Sequence, residues 1–235
     1  MSNQQPNTDK SWLRGSLLRD IILGWQDGLV NVLGLVLGVA TATDSTRLIL
    51  ISGLAALFAE SASMAAVAYT SSKAARDYYF RQMRREEREV EEIPESEKQE
   101  IRNIYHRKGF RSDELENIVR RITSDKKLWV ETMMAEELRL FPEEYERPVR
   151  SSGIVGLSAV VGSIIPLVPF IFLAPRQAIL VAVAVSILVL FGTGSVKARL
   201  TIGDWRKSGV EMALVGSAAA IFGYIIGVLL GSSLT

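Results

Sequence analysis

Two acids stand inside long apolar stretches of this 235-residue chain: Asp27, within Ile21–Ala42, and Glu60, near the middle of the run from Leu48 to about Ala75. An ionisable side chain at membrane depth costs about 3 kcal/mol on insertion scales, so each marks a candidate functional site. Glu60 is too deep to snorkel easily. Asp27, beside Trp25 and Gln26, also suits a capping or snorkelling residue at an interface. Met64 follows Glu60 by four residues, which places the two on one helical face. A carboxylate with a thioether suits a borderline transition metal and disfavours Mg2+ and Ca2+. Alone the signal is weak, because a methionine on such a helix is usually packing.

A second set of acids lies in a charged stretch. Glu86 and Glu89 are three residues apart, as are Glu97 and Glu100, and Glu137 follows Met133 by four and Met134 by three. Each pair faces one side of its helix, and three such helices could converge on divalent cations. On spacing alone a solvated, salt-bridged face reads better, since Arg84, Arg85 and Arg88 alternate with Glu86, Glu87, Glu89, Glu91 and Glu92. The single histidine, His106, has Asn103 three residues before it, so the Glu-x-x-His pattern of di-iron bundles is absent and a surface or hinge role fits better. There is no cysteine, which removes disulfides, thiolate nucleophiles and cysteine-type metal sites. No phosphate-binding loop, dinucleotide fingerprint or nucleophile elbow is present. An enzyme is therefore not expected, no cofactor is expected, and any transport must be secondary or channel-like. A net charge of +1 gives no reason to expect nucleic acid.

The elements that must position these residues follow from where the apolar residues lie. The chain is 48% hydrophobic and 23% charged, with mean hydropathy +0.20. Those values are compatible only if the two kinds of residue are segregated. Five stretches supply the roughly 20 apolar residues a membrane helix needs: Ile21–Ala42, Leu48–Ala75, Gly153–Ala174, Ala178–Val196 and Val210–Leu230. They lack the alternation of a barrel. Small residues recur at four-residue spacing (Gly24/Gly28, Gly34/Gly38, Gly223/Gly227/Gly231), the pattern that lets helices approach closely. Pro166 and Pro169 predict a kink in the third span. Lys10, Arg14 and Arg19, with Lys197, Arg199, Arg206 and Lys207, outweigh Arg47 and Arg176 on the opposite connections. The positive-inside rule then makes the N-terminus and the 76–150 segment cytosolic.

The chain divides into a disordered cytosolic N-terminus at 1–18, two spans over 19–76, a cytosolic helical domain over 77–149 and three spans over 150–235. The inserted segment reads as three or four helices, the first continuous with the second span. Pro94 and Lys108-Gly109 break it, Ser112 starts one helix and Ser124-Asp125 another. The fold class is thus an all-α membrane protein with five transmembrane helices and a helical domain inserted between the second and third. The N-terminus does not read as a secretory signal.

Several stretches, in order, resemble the vacuolar iron transporter family: DGLVNVLGLVLGVA, SMAAVAYTSSKAARDYY, GSIIPLVPF, GSVKARLTIGDWRKSGVEMALVGSAAAIFGYIIG, and, in the inserted segment, IYHRKGF and WVETMMAEELRL. The resemblance implies a homodimer of five-helix protomers. It implies a proton-coupled antiporter exporting Fe2+ from the cytosol, with Mn2+ as a related cargo. Its metal-binding cytosolic domain would use Glu86, Glu89, Glu97, Glu100, Met133, Met134 and Glu137, and its membrane path Asp27 and Met64. One departure stands out: family members carry a glutamate four residues after the span-two methionine, where this chain has Ala68, and Glu60, one turn before Met64, could supply a carboxylate at another depth. A membrane-anchored metal sensor without flux is the alternative. The membrane is expected to be the cell membrane if the source is prokaryotic, and a vacuolar-type membrane otherwise.

Overall fold

The computed structural model describes residues 11–142, 147–201 and 203–233, and all regular structure among them is helical. There are eight described helices: α1 (Ser11–Ala42), α2 (Thr46–Glu92), α3 (Pro94–Arg107), α4 (Ser112–Thr123), α5 (Lys126–Glu136), α6 (Pro148–Phe172), α7 (Pro175–Leu200) and α8 (Trp205–Ser233). Five of them, α1, α2, α6, α7 and α8, contain stretches long and apolar enough to cross a membrane. The first begins earlier than the sequence suggested. Residues 11–18, expected to be disordered, are helical. The half-buried Leu17 and Leu18 carry the apolar pattern of α1 back beyond Ile21. Residues 1–10 lie outside the described set. α6 runs through Pro166 and Pro169 without a break in the helix.

The chain forms two compact units, one containing residues up to Tyr69 and from Val149 onward, the other Thr70–Pro148. The first is a bundle in which α8 packs along both α1 and α7. Lipid tails are as apolar as leucine, so packing and close approach must hold such helices together. The glycines of α1 provide that approach. A Cβ on Gly24 would lie 2.1 Å from the Val155 carbonyl oxygen of α6, and one on Gly28 2.3 Å from that of Ala159. Further along, a Cβ on Gly223 of α8 would sit 2.1 Å from the Gly34 oxygen, and one on Gly227 2.3 Å from that of Gly38. Val32, Leu33, Val36 and Leu37 of α1 fill the core with Ile49 and Leu57 of α2, Phe170 of α6 and Ala182 of α7. Large apolar side chains such as Phe58, Leu180 and Phe172 point outward, as a hydrocarbon solvent requires.

The second unit is built on local stop and start signals. Pro94 occupies the first turn of α3, where its missing N–H is not needed. Gly109 turns the chain with φ 106° between α3 and α4. Asp125 caps α5, its carboxylate accepting from the N–H groups of Lys127 at 2.9 Å and Leu128 at 3.3 Å. The helices bury Tyr79, Val90, Ile101, Leu115, Val119, Ile122, Trp129, Val130, Met133 and Met134. Arg102 binds both oxygens of Glu116, at 2.6 and 3.0 Å, and ties α3 to α4.

Substituting Gly223 by leucine should destabilise the protein by about 1–3 kcal/mol, the usual range for overpacking. Gly192→Ala should leave it unchanged, because a Cβ there meets nothing within 4 Å. Thermal unfolding of both variants in one detergent tests the pair of expectations.

Candidate functional site

In the bundle, α1 carries Asp27 and, one turn on, Asn31; α2 carries Glu60 and, one turn on, Met64. The structure brings the two acids together: Glu60 on α2 lies near both Asp27 and Asn31 on α1. Asp27, Glu60 and Met64 are half-buried and Asn31 is exposed. Two carboxylates this close repel each other unless a proton or a cation lies between them. The close contact of Gly28 with α6 fixes how α1 presents this face. Trp25 Nε1, Ser61 Oγ and Ser163 Oγ are buried without a hydrogen-bond partner. Unsatisfied polar groups are rare in interiors and call for an explanation. Ser61 adjoins Glu60 in the chain, and Ser163 Oγ would lie 2.7 Å from a Cβ on Gly28.

The sequence reading missed two residues of α1. Asn31 lies four residues after Asp27, a spacing that could have flagged it. Asp20 lies seven before Asp27, two turns along the same face. It is buried and paired with Arg19 at 3.5 Å.

In the second unit, Glu86 on α2 and Glu97 on α3 are only 4% and 3% exposed, each with Oε2 buried and unpartnered. Met133 and Met134 are buried on α5. Glu137 closes α5, its N–H donating to the Met133 carbonyl at 3.0 Å, and its carboxyl lies close to that of Glu100. Glu89 accepts from Arg85 Nε at 2.9 Å, the ion pair expected of a solvated face. Glu86 feels the charges of Glu137, Glu97 and Glu89. Desolvation first, then the charges of Glu100 and Glu89, push Glu97 above the ordinary carboxylate range. The Glu137 carboxyl, turned toward the cluster although the residue as a whole is exposed, is pushed up to about 7 by desolvation and by Glu100, Glu97 and Glu89. Among the described residues of the chain, no three His, Cys, Asp or Glu side chains gather closely enough to hold a metal ion. Mutual repulsion opposes such convergence while the charges stand alone. His106 is exposed, and its carbonyl accepts from Arg111 at 2.6 Å.

Five apolar helices, a carboxyl pair on the first two, and a helical unit between the second and third define an integral membrane protein of the multi-span helical class. The chain belongs to the VIT family, whose profile matches residues 18–228. It is similar to vacuolar iron transporter 2 of Oryza sativa subsp. japonica, with 34% identity over 220 residues, 92% of this chain and 89% of the relative. It is similar to vacuolar iron transporter 1 of Arabidopsis thaliana at 30% identity, covering 91% of this chain and 86% of the relative. The vacuolar iron transporter of Plasmodium falciparum (isolate 3D7) is 31% identical, over 93% and 84% of the two chains.

The raised carboxyls of Glu97 and Glu137 set a pH dependence. Their folded-state pKa values lie above the unfolded ones, so the folded protein holds more protons between about pH 4.5 and 7, and stability falls as pH rises through that window. Melting of the full chain under chelation should therefore shift downward from pH 5 to pH 7.5. Glu137→Gln should flatten that slope, and an unchanged slope would separate Glu137 from it.

Proposed function

We propose that the protein is a secondary transporter that moves Fe2+ out of the cytosol in exchange for protons, working as a homodimer, with Mn2+ as a further cargo. The carboxyl pair of Asp27 and Glu60 in a chain of the VIT family is the observation that carries this reading. A simple anchor has no reason to keep two acids in contact within apolar helices. The relatives are vacuolar iron transporters by name, which supports iron as cargo.

Segment 77–149 serves as the cytosolic metal-binding domain. Glu86, Glu89, Glu97, Glu100 and Glu137 collect the ion there, and Met133 and Met134 bias the site toward a transition metal. Carboxylates bind only when ionised, so capture weakens as pH falls. Asp27, Glu60 and Met64 carry the ion through the membrane, with Asn31 as a neutral oxygen donor beside them. Glu60 takes the part of the carboxylate missing at Ala68. When the cation leaves, a proton between Asp27 and Glu60 relieves their repulsion, which couples the two movements. The excess of Lys and Arg on the N-terminal segment and on the α7–α8 connection supports cytosolic placement of both.

The decisive measurement is Fe2+ uptake into proteoliposomes under reducing conditions, with and without an acidic lumen. Uptake should rise with the gradient, and lumen pH should rise as metal enters. Asp27→Asn should abolish uptake while leaving metal binding by the second unit intact; undiminished flux in that variant would remove Asp27 from the path. Metal binding without any flux in the wild type would favour an anchored sensor.

Binding of Mn2+ to the full chain, followed by calorimetry, tests the second unit. Glu97→Gln should weaken it by at least about tenfold, the lower end of what losing a supporting group costs at metal sites. Unaltered affinity would return Glu97 to a purely structural role.

A further inference from the structure

The connection between α7 and α8 gathers four cations that bear on topology but take no part in the proposed path of the ion. Lys197 and Arg199 end α7, and Arg206 and Lys207 open α8. The two helices pack along each other and are joined by a short connection, so all four cations stand at one end of the hairpin. Asp204 is the single acid of this stretch, and its carboxylate is engaged in capping α8, accepting from the N–H of Arg206 at 2.8 Å and of Lys207 at 3.5 Å. Among the described residues, none of the four cations has an ion-pair partner.

Trp205 organises the cluster. The Arg199 and Arg206 guanidinium carbons lie 5.7 and 5.2 Å from its ring centroid. Phe191 meets the same ring edge-on at 6.4 Å, and Ser195 Oγ donates to the Trp205 carbonyl at 3.2 Å. The hairpin beneath is tightly closed: a Cβ on Gly194 would lie 2.3 Å from the Ser208 oxygen, and one on Gly209 2.7 Å from the Phe191 ring. Beside the cations, Val196, Leu200 and Val210 present exposed apolar side chains.

We propose that this turn binds the headgroups of anionic phospholipids. Guanidinium forks match phosphate oxygens, and tryptophan settles at headgroup depth. The exposed aliphatic residues beside the cations suit acyl chains, which a free phosphate does not bring. The proposal goes beyond the transport reading and does not depend on it.

The test is lipid binding by the purified full chain, measured by native mass spectrometry and by melting with added phosphatidylglycerol or phosphatidylcholine. The wild type should retain phosphatidylglycerol and melt higher in it than in phosphatidylcholine. Arg199→Gln with Arg206→Gln should reduce that retention by more than about tenfold, given the usual contribution of each cation near an anionic surface. Lys126→Gln with Lys127→Gln, in the second unit, should leave it unchanged. If the arginine variant melts lower in phosphatidylcholine, Lys207→Gln, which touches no ring, replaces it and should lose a smaller share. Equal retention of both lipids, or a preference that survives these substitutions, overturns the proposal. So does an equal stabilisation by millimolar inorganic phosphate without lipid, which would assign the site to a free anion.

Discussion

A carboxylate taken out of water must find a proton, a cation or a strong donor, and each unit of this molecule is arranged around acids that have lost water. In the bundle these are Asp27 and Glu60, whose close neighbour is another acid and whose neutral companion is Asn31. In the second unit they are Glu86 and Glu97, each with an oxygen that nothing satisfies. Among the described residues, none of these four acids forms an ion pair with an arginine or lysine. Arg85 is spent on Glu89, and Lys126 pairs with Glu91. A proton or a cation can supply the charge these acids lack, which is the physical content of the proposed transport.

The framework that tolerates such acids is not held by them. α1 lies against α6 at Gly24 and Gly28 and against α8 at Gly34 and Gly38, so its rotation is set before any carboxylate is placed. In the second unit, the apolar cluster from Tyr79 to Met134 and the bidentate bridge of Arg102 to Glu116 do the same for α3, α4 and α5. The close contacts that set the helices do not involve the acids, which leaves them available for the proposed transport.

What the sequence could disclose divides along a physical line. Features fixed by neighbours in the chain were legible: the apolar runs of the five spans, Pro94 opening α3, the turn at Gly109 and the cap at Asp125. The N-terminal extension of α1 is hidden in the sequence, because its polar residues conceal the half-buried Leu17 and Leu18. Features fixed by which helix faces meet were not legible. A helix apolar over most of its surface carries little period to show where Asp27 points, so its nearness to Glu60 and Asn31 and the burial of Asp20 waited for the fold. The dense charges of 84–92 suggested a solvated face, and the Arg85–Glu89 pair fits that picture. Glu86, one turn away on the same helix, is buried instead, because burial there depends on the helices packed over it.

The close contacts of the bundle join backbone to backbone, and a backbone is the same whatever residue bears it. Such a framework makes demands at few positions and leaves its neighbours unconstrained. The chain and its rice relative, 34% identical, differ at most positions, and a backbone-to-backbone framework can absorb exchanges of that kind wherever no close approach is needed. An acid can then shift by two turns along α2 without the architecture having to be rebuilt around it, so the chemistry of such a bundle is free to drift faster than its shape.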